Sequence, residues 1–150
     1  MDKLKWTYKP FSELSAVELY NILRLRSEIF VVEQNCVYLD ADNRDQSSFH
    51  LCGRVADTLL AYARILAPGV AYDEPSIGRV SVSPAYRNKG AGRELMIKAI
   101  ELTSKQFPGY DIKIGAQLYL DKFYTSLGFK QLGATYIEDG IPHIHMIRPK

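Results

Sequence analysis

The stretch SPAYRNKGAGREL, residues 83–95, lies between a predicted strand, Ile77–Val82, and an amphipathic segment that begins at Gly92. The N-terminus of a helix has backbone N–H groups without partners and a partial positive charge. A phosphate group satisfies both, and glycines allow it to approach the backbone closely. The loop has neither the Gly-Lys-Ser/Thr of a Walker A motif nor a GxGxxG pattern. Its spacing alone leaves two interpretations open, an anion-binding loop and a solvated basic turn.

The composition is that of a globular domain. The chain has 150 residues, 47% of them hydrophobic and 24% charged, with a net charge of +2. We expect a single domain over residues 1–150 and no nucleic-acid binding, since the charge is small. No apolar run of about 18 residues predicts a membrane span, and no apolar signal segment is found. Cys36 and Cys52 form neither a CxxC pair nor a zinc-type spacing, so we expect reduced thiols, no metal and a cytoplasmic protein.

The rest of the chain predicts alternating strands and helices. A strand over Leu4–Lys9 precedes a helix that begins at Ser15, which forms a capping-box pattern with Glu18. Two strands with a turn at Ala56–Thr58, the strand Ile77–Val82, a second helix, a strand, a third helix and two strands follow. This order predicts an α/β (α+β) fold with a mixed sheet and helices on its faces.

Seven segments, taken together and in order, resemble the GNAT N-acetyltransferase superfamily and within it the ElaA-like subgroup. Arg87-x-x-Gly90-x-Gly92 resembles the family's pyrophosphate loop, Q/R-x-x-G-x-G/A, and FYTSLGF (123–129) resembles its FYxxxGF helix. The other segments are FVVEQNC (30–36), AYARIL (61–66), IGRVSVSPAYR (77–87), GAQ (115–117) and EDGIPHIHM (138–146).

The resemblance implies a twisted sheet of about seven strands with about four helices, whose fourth and fifth strands splay apart around acetyl-CoA. Those strands would be Ile77–Val82 and Asp111–Ala116. Gln117 falls where many family members have asparagine, so the role of that asparagine is not simply assumed for it. The implied cofactor-binding residues are Val80, Ser81 and Val82 on the strand, Arg87, Asn88, Lys89, Gly90, Ala91 and Gly92 in the loop, and Gln117 and Phe123.

Transfer of an acetyl group from a thioester to an amine needs a deprotonated amine, an N–H donor for the oxyanion and a proton donor for the thiolate. The resemblance implies Tyr124 as the proton donor, and a backbone N–H at or near Val82 is expected for the oxyanion. Glu33 and His145 are our candidates for the base. His145 shares a strand face with His143, and histidine titrates near neutral pH. A chain of water molecules is a third candidate.

The sequence says little about the acceptor. We expect a primary amine of a small molecule or peptide, and neither nucleic acid nor membrane as a partner. The loop with Asp40, Asp42 and Asp45 either attracts a cationic amine or is a solvated polar loop. The last strand, HIHMIRP, is a candidate free edge, which is compatible with a homodimer. The alternative to an enzyme is a non-catalytic module that senses acyl-CoA.

Overall fold

Two antiparallel sheets form the centre of the structure, which is a computed structural model and describes residues 3–150. The α-helices are α1 (Ala16–Arg26), α2 (Ala91–Gln106) and α3 (Asp121–Thr125), and a π-helical segment (Ser27–Glu33) continues α1. The strands are β1 (Lys5–Pro10), β2 (Ser48–Val55), β3 (Thr58–Leu66), β4 (Ser76–Val82), β5 (Ile112–Gln117), β6 (Lys130–Glu138) and β7 (Ile141–Arg148).

The first sheet has the strand order β1-β2-β3-β4 and the second the order β5-β7-β6. β4 and β5 begin side by side, where the backbone N–H of Lys113 donates to the carbonyl of Pro75 at 3.1 Å. Within residues 3–150, β4 and β5 form no further ladder beyond this hydrogen bond, so the two strands separate along their length. The predicted α/β fold with seven strands and a splay between the fourth and fifth is confirmed. The strand pairs within both sheets are antiparallel.

The start of α1 agrees with its sequence pattern. The Ser15 hydroxyl accepts from the backbone N–H of Glu18 at 3.0 Å, and the Glu18 carboxylate accepts from the N–H of Ser15 at 2.9 Å. These bonds satisfy two of the free N–H groups of the first turn. The π-helical continuation carries the chain on to Glu33, whose carboxylate reaches Arg87 in the loop after β4.

Helix α2 packs its apolar face on β3 and β4. Its buried residues recur at helical spacing, and the shared burial fixes the loop before the helix at the end of β4. Those residues are Ala91, Leu95, Met96, Ala99, Ile100 and Thr103.

The last strand is not a free edge. β7 lies between β5 and β6 and pairs with both, so the prediction that HIHMIRP forms an edge is wrong. β6 takes the edge position because the short turn at Asp139–Gly140 folds it back beside β7. Within the described part of the chain, no helix combines the length and the apolar composition needed to cross a membrane.

Candidate active site

A cavity of about 1010 Å³ lies where β4 and β5 separate. The π-helical segment, the loop after it and the turn between β6 and β7 form its other walls. The loop and the turn touch, since the thiol of Cys36 lies 3.3 Å from the carbonyl oxygen of Asp139. Ligand pockets usually measure roughly 300–1,000 Å³, so this cavity has room for a large ligand.

The loop between β4 and α2 has the backbone of an anion cradle. Asn88 and Gly90 have φ angles of 63° and 76°, in the left-handed region. Gly90 caps α2, and no side chain of residues 3–150 bonds to the helix end at this position. The N–H groups of the first turn are therefore open to an anion. A Cβ at Gly92 would meet only Val82, at 3.9 Å, so packing inside the protein does not require glycine there.

Arg87 is held at the mouth of the cavity by a carboxylate. Its Nη1 and Nη2 atoms donate to the two carboxylate oxygens of Glu33, each at 2.6 Å, and its Nε donates to the carbonyl of Val82 at 3.3 Å. These hydrogen bonds lower the pKa of Glu33 and raise the pKa of Arg87. The pair connects the predicted pyrophosphate loop to the π-helical segment on the opposite wall.

The other two cations of the loop also have neighbours. The Lys89 ammonium lies 4.8 Å from the centre of the Tyr86 ring, and Arg93 donates to the hydroxyl of Ser126 at 3.0 Å. Contacts within the protein thus hold the three cations near the start of α2. Of these three, Arg87 alone forms an ion pair with a carboxylate of residues 3–150.

A bulge interrupts β4 beside the cavity. Tyr62 pairs with Ser81 and Arg64 with Gly78, so β4 has one residue more than β3 in this interval. Val80 and Val82 line the cavity, whereas Ser81 is 2% exposed and its hydroxyl donates to its own strand. A bulge leaves part of the backbone outside the ladder. Ser81 can therefore contact a ligand only through its backbone.

A buried network of arginines and carboxylates lies behind the bulge. Arg26, which is fully buried, donates to Asp40 at 2.8 Å and to Asp45 at 2.7 Å. Arg64 donates to Asp42 at 2.7 Å and to Asp45 at 3.0 Å. Burial by itself raises the pKa of Asp45, but the hydrogen bond and the charge of Arg26 outweigh it, so that this pKa is lowered. Each buried charge has a partner, as a low-polarity environment requires.

The loop of Asp40, Asp42 and Asp45 is therefore not a solvated polar loop. Asp40 and Asp45 are 8% and 6% exposed, and arginines already match the three carboxylates. Attraction of a cationic amine by this loop finds no support. These arginine partners were not expected from the sequence. A signal was present at Arg64, which interrupts an otherwise apolar strand, because a charge there needs a buried partner.

Arg79 connects this network to the bulge. It has a φ of 50°, unusual for a residue with a side chain. Its Nε donates to the Asp40 carboxylate at 2.8 Å, and its Nη2 donates to the carbonyl oxygen of Asp40 at 3.0 Å. These bonds hold the strained conformation in place, and with it the course of β4 along the cavity.

Tyr124 lines the cavity and is 6% exposed. Its ring packs edge-on against Phe123 and Phe129, with centroids 5.1 and 5.9 Å away. Its hydroxyl makes no hydrogen bond within residues 3–150. Burial raises the pKa of Tyr124 to about 12, so the phenol is protonated at neutral pH. Phe123 supports this ring and is not among the cavity-lining residues of the described chain, whereas Gln117 is.

The two histidines of β7 share one face, as expected. Both stack on Tyr136, His145 at 4.5 Å and His143 at 5.7 Å between centroids. His143 lines the cavity, but His145 is not among the cavity-lining residues of the described chain. His145 is covered by Tyr72 at 5.6 Å, and burial followed by the charge of Lys113 lowers its pKa. The histidine that lines the cavity is therefore His143 and not His145, the candidate base expected from the sequence.

No group of three or more His, Cys, Asp or Glu side chains in residues 3–150 is arranged to hold a metal ion. The cavity brings together Glu33, Val80, Val82, Arg87, Asn88, Gln117 and Tyr124 from the predicted site. The rest of the predicted loop, Lys89 to Gly92, is not among the residues that line this cavity in the described chain, and Gly90 lines a second, smaller cavity beside α2. A guanidinium at one end and a protonated phenol inside fit a thioester ligand that carries a pyrophosphate.

Comparison with known proteins agrees with this description. Residues 31–148 match the acetyltransferase (GNAT) domain family. The ElaA crystal structure from Escherichia coli superimposes with a TM-score of 0.91 at 43% identity, covering 97% of this chain and 99% of that one. An acyl-CoA N-acyltransferase from Pseudomonas aeruginosa gives 0.93 at 39% identity, with the same coverage. A UPF0039 protein of Synechocystis sp. is 44% identical over 146 residues, 97% of this chain and 95% of its own.

Proposed function

We propose that this chain transfers the acetyl group of acetyl-CoA to a primary amine. The premise is that it belongs to the acetyltransferase (GNAT) family and is an acyltransferase. The acceptor in this proposal is an amine of a small molecule or a peptide, and the transfer is direct, without an acyl-enzyme. The names of the relatives described above specify neither the acetyl donor nor the acceptor. Both parts rest on the residues of the cavity.

The observation that carries the proposal is the continuity of the cavity from Arg87 and Asn88 at its mouth to Tyr124 inside. The loop before α2 would hold the pyrophosphate with backbone N–H groups, and the pantetheine arm would run along Val80 and Val82. The thioester would then lie beside the bulge of β4. This course accounts for the volume and for the opening between two strands.

The oxyanion formed at the thioester carbonyl needs an N–H donor. Val82 pairs with Ala61, and the backbone N–H of the next residue, Ser83, donates to the carbonyl of Leu60 at 2.8 Å. The Val82–Ala61 pair is therefore of the non-hydrogen-bonded type, in which the backbone N–H points away from the partner strand. We therefore place the donor at the backbone N–H of Val82, which lines the cavity.

Tyr124 would donate a hydrogen bond to the departing thiolate. Its pKa of about 12 exceeds that of a thiol, ~8.5, so complete proton transfer would be uphill by about 5 kcal/mol. A hydrogen bond from a neutral phenol to an anion needs no such transfer and stabilises the developing charge. In this scheme solvent supplies the proton that the free thiolate finally takes.

The proposal also covers the domain organisation, the location in the cell, the absence of a metal and the assembly of the protein. We treat residues 1–150 as one domain that acts in the cytoplasm without a metal. A homodimer, if it forms through a strand edge, would use one of the outer strands, β1 or β6, and not β7.

An acceptor screen tests the proposed function. Purified protein is incubated with acetyl-CoA and a panel of free amines, aminoglycosides and peptides, with CoA release measured by a thiol reagent and products by mass spectrometry. The expected result is an N-acetylated product whose amount equals the CoA released. Tight acetyl-CoA binding without any product would instead favour the non-catalytic acyl-CoA sensor.

A further inference from the structure

We propose that Nε2 of His143 is the general base that removes a proton from the acceptor ammonium, with Glu138 stabilising the imidazolium that results. This role rests on the proposed function. The inference adds to the proposed function by naming the atom that accepts the proton. His143 is on β7 opposite Gln117 of β5, and both residues line the cavity.

The hydrogen bond at the other ring nitrogen decides which atom is free. Nδ1 of His143 lies 2.7 Å from the carbonyl oxygen of Ile141. A carbonyl oxygen can only accept, so Nδ1 carries the hydrogen in the neutral ring. Nε2 then has the lone pair, which is the form that a base requires. The tautomer follows from the backbone of β7 and does not depend on the ligand.

The charged group nearest to Nε2 is a carboxylate. Glu138 Oε2 lies 3.7 Å from it, beyond hydrogen-bonding distance, and the Glu138 side chain is 61% exposed. The lone pair is thus not blocked, yet a proton arriving at Nε2 meets an opposite charge within salt-bridge distance. The other groups that face the ring are uncharged at neutral pH: Tyr136 stacks on it from β6, Gln117 pairs from β5, and His145 shares its face.

The other candidate bases are less suitable. Glu33 has a lowered pKa because Arg87 donates two hydrogen bonds to it, so it has little tendency to take a proton. Tyr124 is protonated. Among the cavity-lining residues of the part that the structure describes, His143 is the one histidine, and its side chain is 10% exposed.

The chemical steps balance. The ammonium gives one proton to Nε2, and the neutral amine attacks the thioester carbonyl to form the C–N bond. The tetrahedral adduct loses its second N–H proton to solvent and collapses with cleavage of the C–S bond. The thiolate takes a proton from solvent, and the imidazolium returns its proton to solvent, so that one proton is released per amide formed.

His143→Gln tests this assignment with His145→Gln as the matched control, since both residues stack on the same tyrosine. We measure kcat/KM against pH for an alkylamine found in the acceptor screen and for an arylamine, whose amino group is already neutral at pH 7. For the alkylamine we expect His143→Gln to lower kcat/KM about 100- to 1,000-fold at pH 7. The loss should shrink as the pH approaches the ammonium pKa, and it should be at most a few-fold for the arylamine. His145→Gln should keep the profile of the unaltered protein.

The two amines are compared in a His143→Gln protein whose circular dichroism spectrum and thermal midpoint match those of the unaltered chain, so that a loss of activity does not reflect misfolding. Equal losses with the two amines, or an unchanged pH profile, would then overturn the base assignment while leaving acetyl transfer intact. If the unaltered protein acetylates no amine at all, the proposed function fails and the base assignment fails with it.

Discussion

Replacement of Glu33 by Gln should tighten acetyl-CoA binding. Both terminal nitrogens of Arg87 donate hydrogen bonds to the Glu33 carboxylate, each with a nitrogen–oxygen distance of 2.6 Å. A pyrophosphate must therefore compete with that carboxylate for Arg87. The amide keeps the shape of the side chain but removes its charge. Arg87 would then be available to the ligand without first losing an ion pair.

The size of the effect follows from the exposure of the pair. The side chains of Glu33 and Arg87 are 40% and 39% exposed, and ion pairs at such positions contribute about 0.2–1 kcal/mol. The two-point geometry puts this pair toward the upper value. We therefore expect the Kd of acetyl-CoA to fall by roughly 1.5- to 5-fold. The gain should diminish in 1 M salt, where charges are screened within about 3 Å.

Calorimetric titration of acetyl-CoA into four proteins gives the answer: the unaltered chain, Glu33→Gln, Arg87→Gln and the double variant. Glu101→Gln, on the exposed side of α2, controls for the loss of one negative charge. Glu33→Gln should tighten binding only where Arg87 is present. The reasoning is refuted if Glu33→Gln weakens binding, or if it has the same effect in the Arg87→Gln background.

Three further predictions concern the phenol and the buried network. Tyr124→Phe should lower kcat about 10- to 100-fold, the value of one hydrogen bond to a charged group, with the Kd of acetyl-CoA unchanged by calorimetry; an unaltered kcat would remove Tyr124 from the mechanism. Asp45→Asn should lower the free energy of unfolding by about 3–5 kcal/mol, because Arg26 and Arg64 lose a buried partner, whereas Asp57→Asn in the exposed hairpin turn should stay within about 0.5 kcal/mol; urea unfolding of both decides. Because the pKa of Asp45 is lowered in the folded state, its stabilisation is complete above the unfolded pKa of about 3.9 and is lost as the pH falls below that value. The unfolding free energy of Asp45→Asn should therefore depend less on pH between about 5 and 2, and an unchanged slope would contradict the pairing.

Local patterns predicted much of the architecture because they act between near neighbours. Ser15 and Glu18 cap α1 as their spacing requires, and the amphipathic pattern from Gly92 onward gives α2 the apolar face that it buries. Gly90 has the left-handed φ that only glycine adopts easily. The loop, FYTSLGF and the order of the segments then led to the GNAT family, which the comparisons confirm.

Such local patterns could not predict which strand lies at the edge of the second sheet, nor that the carboxylates of the acidic loop are paired with buried arginines. Strand order depends on which segments share hydrogen bonds, and these join residues far apart in the chain: β5 and β7 pair Gln117 with His143. Asp45 meets Arg26 and Arg64, 19 positions away on either side. The loop is polar in sequence whether its carboxylates face water or buried arginines, so its own composition gave no means to choose. Arg64 in an apolar strand indicated that a buried partner was needed, but not which residue it was.

The sequence by itself determined the order of the strands and helices, because capping, periodicity and turn chemistry are set by neighbouring residues. The resemblance of its motifs then pointed to the family and to the loop that is expected to bind the acyl donor. Only the tertiary structure decided between two histidines that alternate with Ile144 on one strand. Both point to the same face, and nothing local distinguishes them. His143 meets the cavity because its partner Gln117 is at the open end of the splay, while His145 is covered by Tyr72 from a distant loop.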